Sequence, residues 1–174
     1  MPTHLSSNPY EQGARKAIPA VLVYLERDQK ILMLHRVSKQ EDFHLGKWNG
    51  LGGKCEADES PLEAAAREVE EECGVRISME SFHPLGVVQF PNFKPTKSED
   101  WIVFVFTAMV SGEARPLTES AEGKLSWIDK NDLLSLNLWP GDRHFLPYVL
   151  SKRPFLGTIW YNGPSVSRHW ITAL

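Results

Sequence analysis

The chain has 174 residues, of which 42% are hydrophobic and 24% are charged, values that are ordinary for a soluble globular protein with one core. This composition excludes a disordered chain, a collagen-like repeat and a disulfide-stapled miniprotein. No apolar run approaches the roughly 20 residues needed to cross a bilayer, and a net charge of −3 lacks the basic field of a non-specific nucleic-acid binder.

The two cysteines, Cys55 and Cys73, indicate thiols in a reducing compartment rather than a disulfide framework. The chain does not open on a basic segment followed by an apolar one, so a secretory signal is not expected. The predicted location is therefore the cytoplasm. We expect a monomer or homodimer with no nucleic-acid or membrane partner.

The predicted elements follow from apolar spacing and turn residues. Residues 1–17 show no periodicity and are interpreted as an N-terminal arm, with residues 18–174 as a single domain. Strands are predicted at 20–25, 31–37, 86–90, 101–110, 124–128, 155–161 and 165–171. Helices are predicted at 60–73, 129–136 and 143–152, and loops at 38–50 and 91–100. Strands flanked by about three helices indicate an α/β or α+β sandwich.

The helix predicted at 60–73 has clear ends. Ser60 can cap its first turn, Pro61 suits the first helical position, and Glu63 completes a capping box. Gly74 is a natural stop, because glycine readily adopts the left-handed conformation after a last turn. One apolar stripe is expected to pack on the sheet: Leu62, Ala65, Ala66, Val69 and Cys73.

A neighbouring arc of this helix is acidic. Glu68, Glu71 and Glu72 are related by steps of three and four residues, and Arg67 lies four residues before Glu71. Three carboxylates on one face repel one another near a helix end that favours cations. Mg²⁺, a hard ion with oxygen ligands, is the natural counterion. A solvated acidic face is the alternative interpretation.

From Gly53 to Val75 the sequence reads GKCEADESPLEAAAREVEEECGV. It resembles the Nudix box, G-x5-E-x7-R-E-U-x-E-E-x-G-U with U a bulky aliphatic residue, and every fixed position matches. The resemblance implies an α/β fold, the Nudix α/β/α sandwich with a central mixed β-sheet in a single domain. It also implies an enzyme that hydrolyses a diphosphate linked to another moiety with the help of Mg²⁺ or Mn²⁺.

The resemblance assigns roles to residues of the box and its surroundings. The metal ligands that it implies are the Gly52 carbonyl and the carboxylates of Glu68, Glu71, Glu72 and, from outside the box, Glu122. One of the box glutamates would also act as the base. Arg67 would orient the glutamates, and Glu59 would brace the loop. Glu119 is the nearby alternative to Glu122, and Lys54 can approach a phosphate.

The flanking segments, 43–54 and 125–157, resemble the oxidised-purine nucleoside triphosphate diphosphatases, the MutT-like branch of the family. There, by the resemblance, Asn49 and Asp142 would bind the base, Trp139 would stack on it, and Phe43 and Phe90 would line the pocket. The alternative for each aromatic residue is an ordinary core position. Some members carry two consecutive acids after Trp-Pro, whereas here glycine precedes Asp142, which leaves selectivity among purines open.

The favoured hypothesis is a Mg²⁺-dependent pyrophosphohydrolase that cleaves nucleoside triphosphates, such as 8-oxo-dGTP, to the monophosphate and pyrophosphate. The alternative substrates are a nucleotide sugar, a dinucleoside polyphosphate or the 5′ triphosphate of RNA. A non-catalytic, nucleotide-sensing Nudix domain is a further alternative, although such proteins usually lose box glutamates that this chain keeps.

Overall fold

A mixed β-sheet forms the centre of the computed structural model, which describes residues 7–37 and 45–174. Its strands are β1 (Lys16–Arg27), β2 (Lys30–His35), β3 (Trp48–Asn49), β4 (Phe82–Lys94), β5 (Glu99–Met109), β6 (Glu119–Ser120), β7 (Gly123–Asp129), β8 (Phe155–Asn162) and β9 (Ser165–Ala173). Their order is β6-β7-β2-β1-β5-β4-β8-β9, and β3 pairs with β2. The β1–β5 and β4–β8 pairs are parallel, and the others are antiparallel.

Two α-helices pack on this sheet within the described residues, α1 (Pro61–Cys73) and α2 (Asp142–Leu150). Alternate residues of β1 serve the two cores, because side chains of a strand point to opposite faces. Val23 packs in the cluster that contains Val69 of α1. Tyr24 packs in the cluster that contains Phe145 of α2. The predicted mixed α/β domain is confirmed, with two helices where about three were expected.

The ends of α1 match their prediction. The Ser60 hydroxyl accepts a hydrogen bond from the Glu63 amide at 3.3 Å, and the Ser60 amide donates to the Glu63 carboxylate at 2.8 Å. Gly74 ends the helix with φ at 72°. The predicted apolar stripe faces the core, where Ala65, Val69 and Cys73 are fully buried. These local contacts fix where the acidic arc of the helix begins and ends.

The helix predicted at 129–136 is wrong. The chain there forms a turn and a single 3₁₀ segment, Leu133–Ser135. The Asn131 amide donates to the Asp129 side chain at 2.9 Å, a local bond that competes with helical hydrogen bonding. Leu133 is fully buried, which satisfies the apolar pattern without a regular helix.

The loop predicted at 91–100 is shorter than expected. β4 runs to Lys94 and β5 begins at Glu99, so only a short turn joins them. The pairing of the two strands shifts register between Phe90 and Lys94. This irregularity accommodates Pro91, which cannot donate to a regular ladder. As a result, Phe93 lies on β4 and not in a loop.

The first strand begins earlier than predicted, at Lys16, inside the segment interpreted as an arm. Just before it, Tyr10 and Arg15 both bind the carboxylate of Asp100 on β5. The division of the chain into 1–17 and 18–174 stays a prediction. In the ranges that the structure describes, no helix has the length and apolarity to cross a membrane.

Candidate active site

A glycine-rich loop before α1 lies directly against β1. The Val21 amide donates to the Gly53 carbonyl at 2.8 Å, and Val23 exchanges backbone hydrogen bonds with Leu51 at 2.6 and 3.0 Å. Gly52 has φ at 149°, and a Cβ placed there would overlap the Val21 carbonyl. Only glycine permits this close approach of two backbones, which brings the loop to the edge of a cavity.

The cavity has a volume of about 250 Å³. Its lining contains eight predicted site residues from distant parts of the chain: Asn49, Gly52, Lys54, Glu72, Phe90, Glu122, Trp139 and Asp142. Phe43, predicted to line the base pocket, lies outside the described residues. Carboxylates and aromatic rings thus meet in one concave site, as a small-molecule pocket requires.

Glu72 is the buried carboxylate of the site. Only 6% of its surface is exposed, and its Oε2 accepts a hydrogen bond from the Gly52 amide at 2.9 Å. Burial raises the pKa of Glu72 well above its usual range, and the negative charges of Glu122 and Glu68 add to this. An ionised Glu72 therefore favours a positive partner nearby.

Arg67 organises the other carboxylates of α1. It donates to Glu59 at 2.8 and 3.0 Å and to Glu68 at 2.9 Å, and it contacts the more exposed Glu71 at 3.3 Å. It also donates to the Lys54 carbonyl at 3.1 Å. One guanidinium, with its planar fork of donors, thereby ties the loop to the helix and holds two glutamates in place.

The turn before β7 places Glu119 and Glu122 in different surroundings. Glu122 reaches the cavity and forms an ion pair with Arg36, whereas Glu119 is exposed on β6. Arg36 also lines the cavity and was not among the predicted site residues. Its signal was weak, since a lone arginine after an apolar strand is common.

The donor chemistry fits a hard divalent cation, although the carboxylates are not gathered around a single point. Among residues 7–37 and 45–174, no three acidic, histidine or cysteine side chains form a metal-binding group. Arg67 and Arg36 instead neutralise Glu68 and Glu122. Carboxylate and carbonyl oxygens are the ligands that Mg²⁺ prefers, and the like charges around buried Glu72 would be relieved by a dication.

The opposite end of the cavity is aromatic and carries few polar groups. Trp139 meets Tyr161 edge-on, with centroids 6.4 Å apart. Desolvation raises the pKa of Asp142 to about 7, against the opposing charges of Lys47 and Arg143. The Asn49 side-chain oxygen is buried and has no hydrogen-bond partner in the described part of the chain. A ligand with hydrogen-bonding edges and a flat face suits this lining.

Four further aromatic residues line the cavity and were not predicted as site residues: Phe93, Trp101, Phe145 and Tyr161. Phe93 packs on Trp101 and Tyr161, with centroids 5.4 and 6.0 Å away. Two lysines face the Trp101 ring, Lys54 at 5.3 Å and Lys94 at 4.8 Å. Phe93 lay in a predicted loop, and no local pattern distinguished the others from core residues.

Comparison with known proteins adds to this geometry. A family model described as the NUDIX domain matches residues 16–149. Oxidized purine nucleoside triphosphate hydrolase of Danio rerio is 34% identical over 74% of this chain and 78% of its own length. The Mus musculus protein of the same name is 32% identical over 78% and 81%. A crystal structure of a MutT protein from Bacillus halodurans superposes with a TM-score of 0.76 at 29% identity, covering 88% of this chain and 97% of that one.

Proposed function

Because this chain belongs to the Nudix hydrolase family, whose members act on phosphoanhydrides, we propose that it is a Mg²⁺-dependent pyrophosphohydrolase of nucleoside triphosphates. Oxidised purines such as 8-oxo-dGTP are the proposed substrates, and the nucleoside monophosphate and pyrophosphate are the products. The observation that carries this proposal is the single cavity that joins the carboxylates Glu72 and Glu122 to the aromatic residues Phe90 and Trp139.

The metal ligands in this proposal are the Gly52 carbonyl and the carboxylates of Glu68, Glu71, Glu72 and Glu122. When bound, Mg²⁺, or Mn²⁺ as an alternative, would supply neutralisation of phosphate charge and activation of water. Metal binding would compete with the ion pairs that Arg67 and Arg36 form with Glu68 and Glu122.

Two basic residues act beside the metal ligands, one on the glutamates and one on the phosphates. Arg67 keeps Glu68 and Glu71 oriented through its contacts to Glu59, so the proposed base and ligands start in place. Lys54 stands beside the glycine loop at the cavity edge, where its charge can meet a phosphate. Positioning and charge stabilisation supply most of the catalysis in phosphoryl chemistry.

The base end of the cavity supports a purine. The Trp139 ring offers a stacking surface, and such stacking contributes about 1–3 kcal/mol per base. Asn49 and Asp142 present hydrogen-bonding groups to a base edge, and Phe90 closes the wall. The two vertebrate relatives are named for oxidised purine nucleoside triphosphates, and this substrate class fits the same lining here. Phe43 stays a predicted wall residue.

A panel of nucleotides tests the proposal. Purified protein with Mg²⁺ is offered 8-oxo-dGTP, dGTP, a nucleotide sugar, a dinucleoside polyphosphate and 5′-triphosphorylated RNA, and pyrophosphate or phosphate release is measured. We expect the highest kcat/KM for 8-oxo-dGTP, with pyrophosphate as the product. A higher kcat/KM for another class would assign the site to that class, and binding without any turnover would indicate a nucleotide-sensing domain.

Two variants of one helix connect the activity to the site. Glu72→Gln removes the buried carboxylate, and kcat should fall by a factor on the order of 10²–10⁴, the contribution typical of a positioned acid–base group. Glu70→Gln changes an exposed residue two positions away that pairs with Arg76, and its kcat should match the unchanged protein. Equal activity of the two variants would contradict the assignment of Glu72.

A further inference from the structure

Tyr161 places a hydroxyl group in the wall of the cavity beside Gly141. The Gly141 amide donates a hydrogen bond to this hydroxyl at 2.7 Å. A Cβ at position 141 would lie 2.5 Å from the hydroxyl oxygen and 3.3 Å from a methyl carbon of Ile159. The Tyr161 hydroxyl therefore occupies space that a side chain at position 141 would need.

Among the described residues, the Tyr161 hydroxyl accepts one hydrogen bond and donates none. A tyrosine hydroxyl can accept and can donate, and its accepting capacity is used by the Gly141 amide. Burial raises the pKa of Tyr161 well above its usual range, so the O–H proton stays in place at neutral pH. Its ring is held among Phe90, Phe93 and Trp139, the aromatic surfaces that suit a base.

The polar groups around this end of the cavity differ in what they offer a ligand. Asn49 presents a buried oxygen with no partner in the described residues, which can accept. Asp142, next to Gly141 in the chain, presents a carboxyl group close enough to influence Tyr161 electrostatically. Tyr161 adds a neutral O–H donor, a function that a second carboxylate at position 141 would not supply in its ionised form.

We infer that Tyr161 is a specificity-determining residue, whose hydroxyl donates a hydrogen bond to a carbonyl oxygen on the edge of a bound purine, in space left open by Gly141. The inference rests on the proposed function for its ligand class. A carbonyl-bearing, guanine-type edge satisfies this donor, whereas an adenine-type edge presents an amino group that is itself a donor. The site would therefore distinguish purines through Tyr161 as well as through Asp142.

Equilibrium binding of nucleoside monophosphates tests this without requiring hydrolysis. The dissociation constants of 8-oxo-dGMP, dGMP and dAMP are measured by calorimetry for the unchanged protein, Tyr161→Phe and Tyr148→Phe. Tyr161→Phe keeps the ring and removes the hydroxyl, and it should weaken binding of the two guanine-type ligands about five- to tenfold, the effect of one neutral hydrogen bond. Binding of dAMP should change less.

Tyr148→Phe is the matched control, because Tyr148 lies on α2 and packs against Phe155, away from the cavity lining. It should leave all three dissociation constants unchanged. Guanine-type binding of Tyr161→Phe within twofold of the unchanged protein would overturn the inference, and so would an equal loss for dAMP, which indicates a purely structural role. Retained monophosphate binding without triphosphate hydrolysis would contradict the proposed function alone.

A double variant tests the spatial link directly. Gly141→Asp alone places a side chain against the Tyr161 hydroxyl and should weaken guanine-type binding. Combining it with Tyr161→Phe removes the 2.5 Å contact and leaves the ring carbon at 3.2 Å, so the double variant should bind more tightly than Gly141→Asp alone. Additive losses in the double variant would show that the two positions do not compete for the same space.

Discussion

Two adjacent glycines in the loop before α1 have different kinds of neighbouring atoms. At Gly52 the backbone adopts φ of 149° and approaches the Val21 carbonyl, whereas at Gly53 the neighbouring atoms are those of the Glu68 carboxylate. A backbone cannot move aside cheaply, but the end of a long side chain can. The same substitution should therefore affect stability at one position and activity at the other.

Gly52→Ala should lower the free energy of unfolding by about 1–3 kcal/mol, because it forces a strained conformation and a backbone overlap. Gly53→Ala should unfold nearly as the unchanged protein does but lose activity by a factor on the order of 10–10², because Glu68 is displaced. Urea denaturation and kcat measure the two effects. Gly112→Ala, which meets no neighbour within 4 Å, is the control, and equal behaviour of all three variants would refute the distinction.

The raised pKa of Asp142 predicts how the free energy of unfolding changes with pH. Its pKa is raised from an ordinary 3.8 to about 7, so between these values the folded protein binds more protons than the unfolded chain. The free energy of unfolding should then fall as pH rises through this range and level off above it. Asp142→Asn should remove this part of the dependence.

Thermal unfolding of Asp142→Asn and of the unchanged protein, each at pH 5 and pH 8, measures this pH dependence of stability. The Tm of the variant, relative to the unchanged protein, should be higher at pH 8 than at pH 5. Asp132→Asn, at an exposed position, should show no such trend. Parallel pH profiles for Asp142→Asn and the unchanged protein would contradict the raised pKa.

The segment before β1 is joined to β4 and β5 through the carboxylate of Asp100. Asp100, only 3% exposed, accepts hydrogen bonds from the Tyr10 hydroxyl and Arg15 Nε, both at 2.7 Å, and from the Asn92 amide at 2.5 Å. The Arg15 hydrogen bond holds the pKa of Asp100 well below its usual range. Stability from this contact is lost as pH falls below the ordinary aspartate range.

Asp100→Asn should lower the free energy of unfolding by about 1–3 kcal/mol, since it leaves Arg15 without its charged partner. It should also speed tryptic cleavage after Arg15 in the folded protein. Urea denaturation and timed proteolysis provide the measurements. The exposed Glu113→Gln serves as the control, and unchanged cleavage and stability of Asp100→Asn would show that the contact contributes nothing.

The elements themselves differ in how well their sequence predicts them. α1 was predicted at both ends, because its cap, its glycine stop and its periodicity are set by residues close in the chain. The helix predicted at 129–136 is absent, because Asp129 and Asn131 form a turn that apolar spacing does not reveal. The loop predicted between β4 and β5 is too long, because pairing extends β4 past a proline that indicated a loop.

The carboxylates of the candidate site come from separate elements that the sheet brings together. Glu68 and Glu72 lie on α1, and Glu122 precedes β7, which pairs with β2. Their mutual repulsion is a cost to the folded state that a bound dication would relieve. A ligand that binds the folded protein alone stabilises it by about 1.4 kcal/mol at ten times its dissociation constant.

Mg²⁺ should therefore raise the Tm of the protein in a saturable manner, and a chelator should reverse the rise. Glu72→Gln should show a smaller Mg²⁺-induced rise, whereas Glu70→Gln should keep the full one. Differential scanning fluorimetry at constant ionic strength, with KCl as the reference salt, measures the shifts. Equal shifts with KCl and MgCl₂ would show a general salt effect and no specific site.

Spacing along one loop and helix is enough to predict the motif from Gly53 to Val75, the limits of α1 and the shared face of its glutamates. The sequence also indicated the base-end candidates, through resemblance to relatives. The presence of Arg36, Trp101 and Tyr161 in one cavity depends on how distant parts of the chain fold together. Arg36 follows β2, and Trp101 and Tyr161 lie on β5 and β8. Long-range pairing brings these elements into one sheet, and no local periodicity shows which distant strands will share it.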